Sequence, residues 1–330
     1  MTNAISMRHI RKTFGPKVAV EGLDLAIREG AMVGMIGPNG AGKSTTIRMI
    51  MSILFPDSGE LQVLGRKSAL ESKDRIGYLP EERGVYRKMK VRGFLKYVGK
   101  LKGVREPELG QRVQHWLDRV GLADAADKKC EELSKGMQQK VQFIAAVLHE
   151  PELLILDEPF SGLDPVNLRL LQDLMTEQHR AGRTVVLCTH VMFQAEQMCD
   201  EIVMIHDGRK VLDASMAEIR AQHEPNAVVF EPVNGSNAEA AARAIPGVQA
   251  VTQTREGWMA YTDPEALPAH DAVRAIAAAI DVRSVAAKRV TLEDVFVEIV
   301  AGGDAEDRDE IRQRLHEPAQ ASEQPEAAGT

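Results

Sequence analysis

The sequence predicts an α/β protein built on a mostly parallel sheet, followed by a smaller α+β unit. Three observations lead there. Continuous aliphatic runs alternate with stretches of helical periodicity. A glycine-rich loop sits between one such run and the next helix. After about residue 220 the order changes to strand, helix, two strands, helix, strand.

Residues 4–8 and 23–27 alternate apolar and polar, as short half-buried strands do. Residues 31–36 (AMVGMI) form an apolar run that enters the glycine loop, and residues 44–54 carry helical periodicity up to Pro56. The pattern over 91–121 is helical and charged, and 134–150 reads as a helix closed by Pro151. The runs 153–156 (LLIL) and 184–188 (TVVLC) read as strands buried on both faces. Between them Asp164-Pro165 opens a helix that Gly182 ends, with proline in the tolerated first turn. Asp207-Gly208 between residues 202–205 and 210–212 is a hairpin signal. In the second unit, 227–230, 248–252, 258–261 and 282–286 read as strands, and 238–245 and 272–280 as helices. A closing helix is expected at 292–300. These patterns predict domains at 1–220 and 226–300, with a helical subdomain at about 84–150 and an antiparallel β portion beside the parallel sheet.

Composition excludes several classes. The chain has 330 residues, 44% of them hydrophobic, so a sizeable core can form. Residues 301–330 carry eight acids against three arginines within an overall charge of −7, so the body is near neutral. That tail, aromatic-free and rich in Ala, Pro and Glu, is expected to be disordered. A near-neutral body with 4% aromatic residues is not a nucleic-acid platform, and no nucleic acid is expected as partner. Cys130, Cys188 and Cys199 have no metal-ligand spacing and read as inert thiols of a reducing cytosol. No run of 18 apolar residues occurs and the first residues lack an apolar signal core, so the expected location is cytoplasmic, reaching a membrane only through a partner.

The stretch Gly37-Pro38-Asn39-Gly40-Ala41-Gly42-Lys43-Ser44-Thr45 fits G-x-x-x-x-G-K-[ST]. Its glycines let backbone amides turn onto phosphate oxygens, Lys43 neutralises the outer phosphates, and the Ser44 hydroxyl suits Mg2+. The following helix adds its N-terminal dipole. A second element is the aliphatic run ending in Asp157-Glu158. A buried strand ending in Asp delivers a carboxylate to the metal, and Glu158 can then polarise the attacking water as a general base.

With these motifs the chain resembles an ATP-binding-cassette (ABC) ATPase, a P-loop NTPase, over residues 5 to about 220. Leu133-Ser134-Lys135-Gly136-Met137 resembles that family's LSGGQ signature, Ser161-Gly162-Leu163-Asp164 its D-loop, and His190 its switch histidine. Phe14 lies where the family carries an aromatic that stacks on adenine, and Glu81 where it places a metal-coordinating Gln. The resemblance implies ATP and Mg2+ as ligands, with Ser44, Asp157 and Glu81 around the metal. It implies a homodimer or paired cassette in which Ser134, Lys135, Gly136 and Met137 of one chain close over ATP held by the other. His190 would sense the γ-phosphate, and a separate permease would be the membrane partner.

Two departures stand out: Lys135 and Met137 replace a glycine and the glutamine of the signature, and Glu81 replaces Gln. The phosphate donors Ser134 and Gly136 survive, and a carboxylate at 81 can still bind Mg2+. Glu81-Glu82-Arg83-Gly84 resembles a subgroup of bacterial sodium-extrusion and drug exporters, whose members often carry a small C-terminal α/β extension, here 226–300 and ferredoxin-like. In that family a permease helix docks beside the Glu81 loop, and Val85, Tyr86, Met89 and Phe94 are the residues expected to line its groove. A soluble ABC ATPase acting on a ribosome or nucleic acid is the alternative, but such chains carry two cassettes with a basic linker or a long coiled coil. Together the motifs imply the ATP-hydrolysing subunit of an exporter.

Overall fold

The computed structural model describes residues 2–82, 84–223, 225–233, 237–254 and 257–301. Arg83 lies outside the described residues, as does the tail expected to be disordered at 301–330 except for Ala301, which ends the last helix. Strands β1 (Asn3–Phe14) and β2 (Lys17–Arg28) form a long hairpin, and β3 (Met32–Ile36) leads through the glycine loop into α1 (Lys43–Ile50). Next come β4 (Ser58–Val63), β5 (Ile76–Leu79), and the helices α2 (Val91–Leu101), α3 (Glu108–Arg119) and α4 (Lys135–Val147). Strands and helices then alternate as β6 (Leu153–Asp157), α5 (Pro165–Arg180), β7 (Thr184–Thr189), α6 (Met192–Met198) and the hairpin β8 (Glu201–His206) and β9 (Arg209–Ser215). The remainder is α7 (Met216–His223), β10 (Ala227–Pro232), α8 (Ala238–Arg243), β11 (Val248–Thr254), β12 (Gly257–Thr262), α9 (Ala269–Ala279), β13 (Val282–Ala287) and α10 (Leu292–Ala301).

The main sheet has the order β5-β6-β7-β3-β8-β9. It is parallel except for β9, which returns antiparallel along β8. Every residue of β3, β6 and β7 is buried, which is why these strands read as unbroken aliphatic runs. A second sheet, ordered β2-β1-β4, is antiparallel. In β2 the inward face carries Val20, then Leu23, Leu25 and Ile27. The change of parity falls at Gly22, whose φ of 62° gives the bulge an extra residue only glycine accepts easily. Apolar residues of both sheets share one core with α1, including Ile5, Leu25, Val33, Ile47, Ile155 and Val186.

By contact the chain divides into two compact units: one holds the chain to Met216 and the segment from Phe296, the other Ala217–Val295. The second unit has the βαββαβ order with sheet β11-β12-β10-β13, all pairs antiparallel. This is the ferredoxin-like arrangement. Its own core holds Val228, Phe230, Ala242, Ala260, Ala272 and Ile276.

Helix ends follow local chemistry. Ser134 caps α4 by accepting the Met137 N–H at 3.3 Å. Asp164 caps α5 by accepting from Val166 and Asn167 at 3.0 Å each, with Pro165 in the first turn. One expectation fails: helical periodicity runs to residue 54, but α1 stops at Ile50. Ser52 adopts a left-handed φ of 54°, and its hydroxyl accepts the Ala69 N–H at 3.0 Å, so a distant segment turns the chain out of the helix. Strands β4 and β5 and helices α6 and α7 were not foreseen; β5 has four residues, one of them Gly77, too few to show periodicity.

Candidate nucleotide-binding site

The sheet order decides which motifs meet. The glycine loop follows β3, His190 follows β7, and Asp157 ends β6, and these three strands are neighbours. In register, Ile36 pairs with Thr189, and Asp157 with Cys188. The carboxyl ends of adjacent parallel strands therefore share one edge, where open α/β sheets place their ligands.

The loop 37–45 is held by backbone that only glycine supplies. Gly37 has φ 149°, and a Cβ there would lie 2.0 Å from the Ile205 carbonyl oxygen. Gly42 has φ 105°, and its Cβ would meet the Ala19 carbonyl oxygen at 2.6 Å. Pro38 accepts the Ala41 N–H at 3.2 Å, while Asn39 and Gly40 form the exposed crest. Lys43 is buried, and its ammonium donates to the carbonyls of Gly37 at 2.7 Å and Pro38 at 3.0 Å. Ser44 and Thr45 sit half-buried in the first turn of α1.

Asp157 is 3% exposed. Burial raises its carboxyl to about 6; Glu81 and Glu158 add repulsion, while the Cys188 thiol and Lys43 oppose the shift. Burial also pushes the Cys188 thiol well up, so it stays protonated and can donate to Asp157. The Asp157 Oδ1 has no hydrogen-bond partner among the described residues. A buried anionic oxygen left open beside Lys43 and Glu81 fits a hard cation such as Mg2+. Glu81 itself is exposed.

Glu158 takes a left-handed φ of 47° and is 8% exposed. One carboxylate oxygen accepts the His190 backbone N–H at 2.8 Å and the His190 Nδ1–H at 2.6 Å. The other accepts the Thr189 hydroxyl at 3.0 Å. The hydrogen bond that His190 donates to Glu158 raises the His190 pKa, against the opposing effect of burial. With Nδ1 donating to Glu158, His190 keeps Nε2 as the nitrogen turned to other work. Thr189 was missed from sequence; the only signal was a hydroxyl at the end of a buried strand, directly before the histidine.

The signature and D-loop residues stand on other elements, the start of α4 and the segment that enters α5. Ser134 and Lys135 are exposed at the start of α4, with Gly136 and Met137 half-buried. The Ser134 oxygen accepts from Met137, which leaves its proton free to donate. The Gly136 Cα faces Asn167 and Leu163, bringing the signature against the D-loop. Ser161 and Gly162 are exposed, and Asp164 is engaged as the α5 cap. Among the described residues no hydrogen bond or ion pair joins 134–137 to 37–45. Phe14 is 47% exposed at the hairpin tip, with the Lys12 ammonium 5.7 Å from its ring centre.

A groove of about 350 Å³ lies between β5 and α2, lined by Tyr86, Phe94, Tyr97, Leu101, Gln142 and His149 among others. Tyr86 packs edge-on to Phe94 and Tyr97, at 6.0 and 5.7 Å. Of the four residues expected here, Tyr86 and Phe94 line the groove and two do not: Val85 is buried at 8% exposure, and Met89 is tied by its own carbonyl, which accepts the Cys130 N–H at 2.9 Å.

The family model described as ABC transporter matches residues 20–161, and that of the ATP-binding protein DrrA1-3-like C-terminal domain matches 215–300. An uncharacterized ABC transporter ATP-binding protein of Alkalihalophilus pseudofirmus is 40% identical over 266 residues, covering 81% of this chain and 98% of the relative. Nod factor export ATP-binding protein I of Rhizobium sp. strain N33 is 33% identical over 266 residues, covering 79% and 87%. A solved ATP binding subunit of an ABC transporter superposes with a TM-score of 0.62 at 32% identity, over 67% of this chain and 93% of that one. With a phosphate loop, a strand-end Asp-Glu pair and a histidine on one sheet edge, and relatives matched over nearly their whole length, the chain belongs to the ABC transporter ATP-binding protein family.

Proposed function

We propose that this chain hydrolyses ATP as the motor subunit of an export-type ABC transporter, acting as a homodimer or paired cassette beneath a separate permease. The observation that carries the reading is the constellation at the strand ends: Lys43 and the open Asp157 oxygen beside Glu158, which Thr189 and His190 hold in place. In this reading the loop amides of 37–45 and Lys43 hold the phosphates, and Phe14 stacks on the adenine. Ser44, Asp157 and Glu81 would hold Mg2+, which when bound supplies charge neutralisation on the phosphates. Glu158 takes the proton of the attacking water, and His190 hands its free nitrogen to the γ-phosphate while keeping Glu158 oriented. Ser134 and Gly136 of a second copy, at a helix N-terminus, donate to the same phosphate.

Export is supported by the names of relatives such as the Nod factor export protein. Among the described residues no helix is long and apolar enough to cross a membrane. In this reading the permease supplies the spans, and this chain lies on its inner face. The groove at Tyr86 and Tyr97 is the surface we assign to the permease, and the unit 226–300 is an accessory domain.

The test is Glu158→Gln. Turnover should fall by about 10²–10⁴-fold, the share a positioned general base supplies. ATP binding should persist, and an ATP-bound dimer should accumulate in size-exclusion chromatography. Near-normal phosphate release would remove Glu158 as the base.

A further inference from the structure

The face of α4 that enters the core is apolar except at a few positions, and one of them is Gln139, 5% exposed. A buried amide must find partners or cost stability. The Gln139 Nε2 donates to the Pro159 carbonyl at 2.9 Å. Pro159 directly follows Glu158. The backbone around the base is therefore gripped from two sides. Thr189 and His190 hold the Glu158 carboxylate from the β7 side, and Gln139 holds the next carbonyl from α4.

Gln139 also stands one turn after the signature. Residue 135 is its i−4 neighbour and Gly136 its i−3 neighbour, on one helix face. Gly136 in turn packs on Leu163 and Asn167, just past the Glu158–Pro159 segment. Glu158 itself sits in strained backbone with φ 47°, which its neighbours must hold in place. The start of α4 and the base segment form one joint.

From this geometry we propose that Gln139 is a positioning residue that couples the two ATP sites of a dimer. This rests on the dimeric reading above. In such a dimer the signature end of α4 touches the ATP held by the partner, while its Gln139 grips the backbone beside this chain's own Glu158. Loading one site shifts α4, and the Gln139–Pro159 hydrogen bond delivers that shift to the base of the other site. A glutamine that merely filled space would contribute packing at this position without linking the two turnovers.

The experiment uses the full chain and two variants of similar size that have no side-chain donor, Gln139→Met and Gln139→Leu. ATP affinity is read with a fluorescent ATP analogue, and steady-state phosphate release is followed across ATP concentrations. The expected result is unchanged affinity, a kcat lower by about fivefold, the worth of one neutral hydrogen bond, and a Hill coefficient falling from above 1 in the unaltered chain to about 1 in both variants. Variants that keep the original Hill coefficient overturn the coupling. Variants that lose ATP binding overturn it too, because Gln139 is then a structural residue. A Hill coefficient of 1 in the unaltered chain overturns the coupling, while the dimeric reading is tested separately by size-exclusion chromatography of the Glu158→Gln chain with ATP, where a monomer overturns that reading.

Discussion

The backbone N–H of Gly208 donates to the Ala41 carbonyl at 2.9 Å, tying the β8–β9 turn to the phosphate loop. The Gly208 carbonyl accepts from Glu21 in β2 at 2.9 Å, so one residue joins three segments. Gly208 has φ 74°, and a Cβ there would lie 2.8 Å from the Ala19 carbonyl oxygen. Gly208→Ala should cost about 2 kcal/mol of stability through backbone strain. It should also weaken ATP binding about tenfold, since an order of magnitude needs only about 1.4 kcal/mol at the loop. Gly103, with φ 85° and open space around it, is the control. Gly103→Ala carries the same conformational strain and should leave ATP affinity unchanged. Equal affinity losses in the two variants would remove the special role of Gly208.

Glu81→Gln tests the departure at the metal position. Glu81 adds negative charge that raises the Asp157 carboxyl, behind the larger effect of burial. Replacing it by the neutral isostere removes one repulsion and keeps an oxygen ligand. ATP binding should be retained, and turnover should change by less than about threefold, a difference of under 1 kcal/mol. Loss of nucleotide binding in a fluorescence titration would show that the carboxylate itself is required.

His149 supplies a pH signature away from the phosphates. Burial, and then the nearby Lys102 ammonium, lower its pKa to about 4, against a hydrogen bond with the Ile76 carbonyl at 3.1 Å. The folded chain thus holds His149 neutral, while the unfolded chain protonates it near 6.5. Its contribution to stability is whole above about 6.5 and is lost as pH falls toward 4, at about 1.4 kcal/mol per pH unit. Urea denaturation at pH 7, 6 and 5 should show this slope. His149→Gln should flatten it by that amount, and an unchanged slope would assign the acid sensitivity to other groups.

Tyr86 and Tyr97 are 55% and 42% exposed on the groove wall. Exposed aromatics that pack on one another form the kind of apolar patch that marks an interaction surface. The double variant Tyr86→Ser, Tyr97→Ser should keep ATPase activity of the isolated chain within about twofold, because no phosphate contact changes. It should lose its association with washed membranes of the cells that express it. Retained membrane association would place the permease contact elsewhere.

Much of the site was legible before the structure because its chemistry is local in sequence. Gly37, Gly40 and Gly42 announce a loop whose backbone needs positive φ, which all three adopt. Leu153–Asp157 and Thr184–Thr189 announce themselves as strands because parallel strands buried on both faces leave no polar alternation. The ferredoxin-like order of the second unit was legible for a similar reason, since each of its helices and strands has its own period and turn signals. What escaped was short or non-local. β5 is too brief to show a period, and α1 ends early because Ser52 is recruited by Ala69. Val85 and Met89 stand close to Tyr86 in sequence, and spacing alone does not tell which of them lines the groove.

The sequence by itself determined which groups the chain owns: a glycine loop of the phosphate-binding pattern, a carboxylate pair, a histidine, a helix that starts at a signature-like stretch, and a second α+β unit. These follow from periodicity and from the few residue types that tolerate special backbone or carry charge. Only the tertiary structure decided how those groups act on one another. The strand order β6-β7-β3 sets Asp157, His190 and Gly37 side by side, and Thr189 and His190 lock Glu158. Gln139 and Gly208 reach Pro159 and Ala41 across long stretches of chain. Such contacts depend on which strands pair and which turns touch, a property of the packed whole that no local pattern encodes.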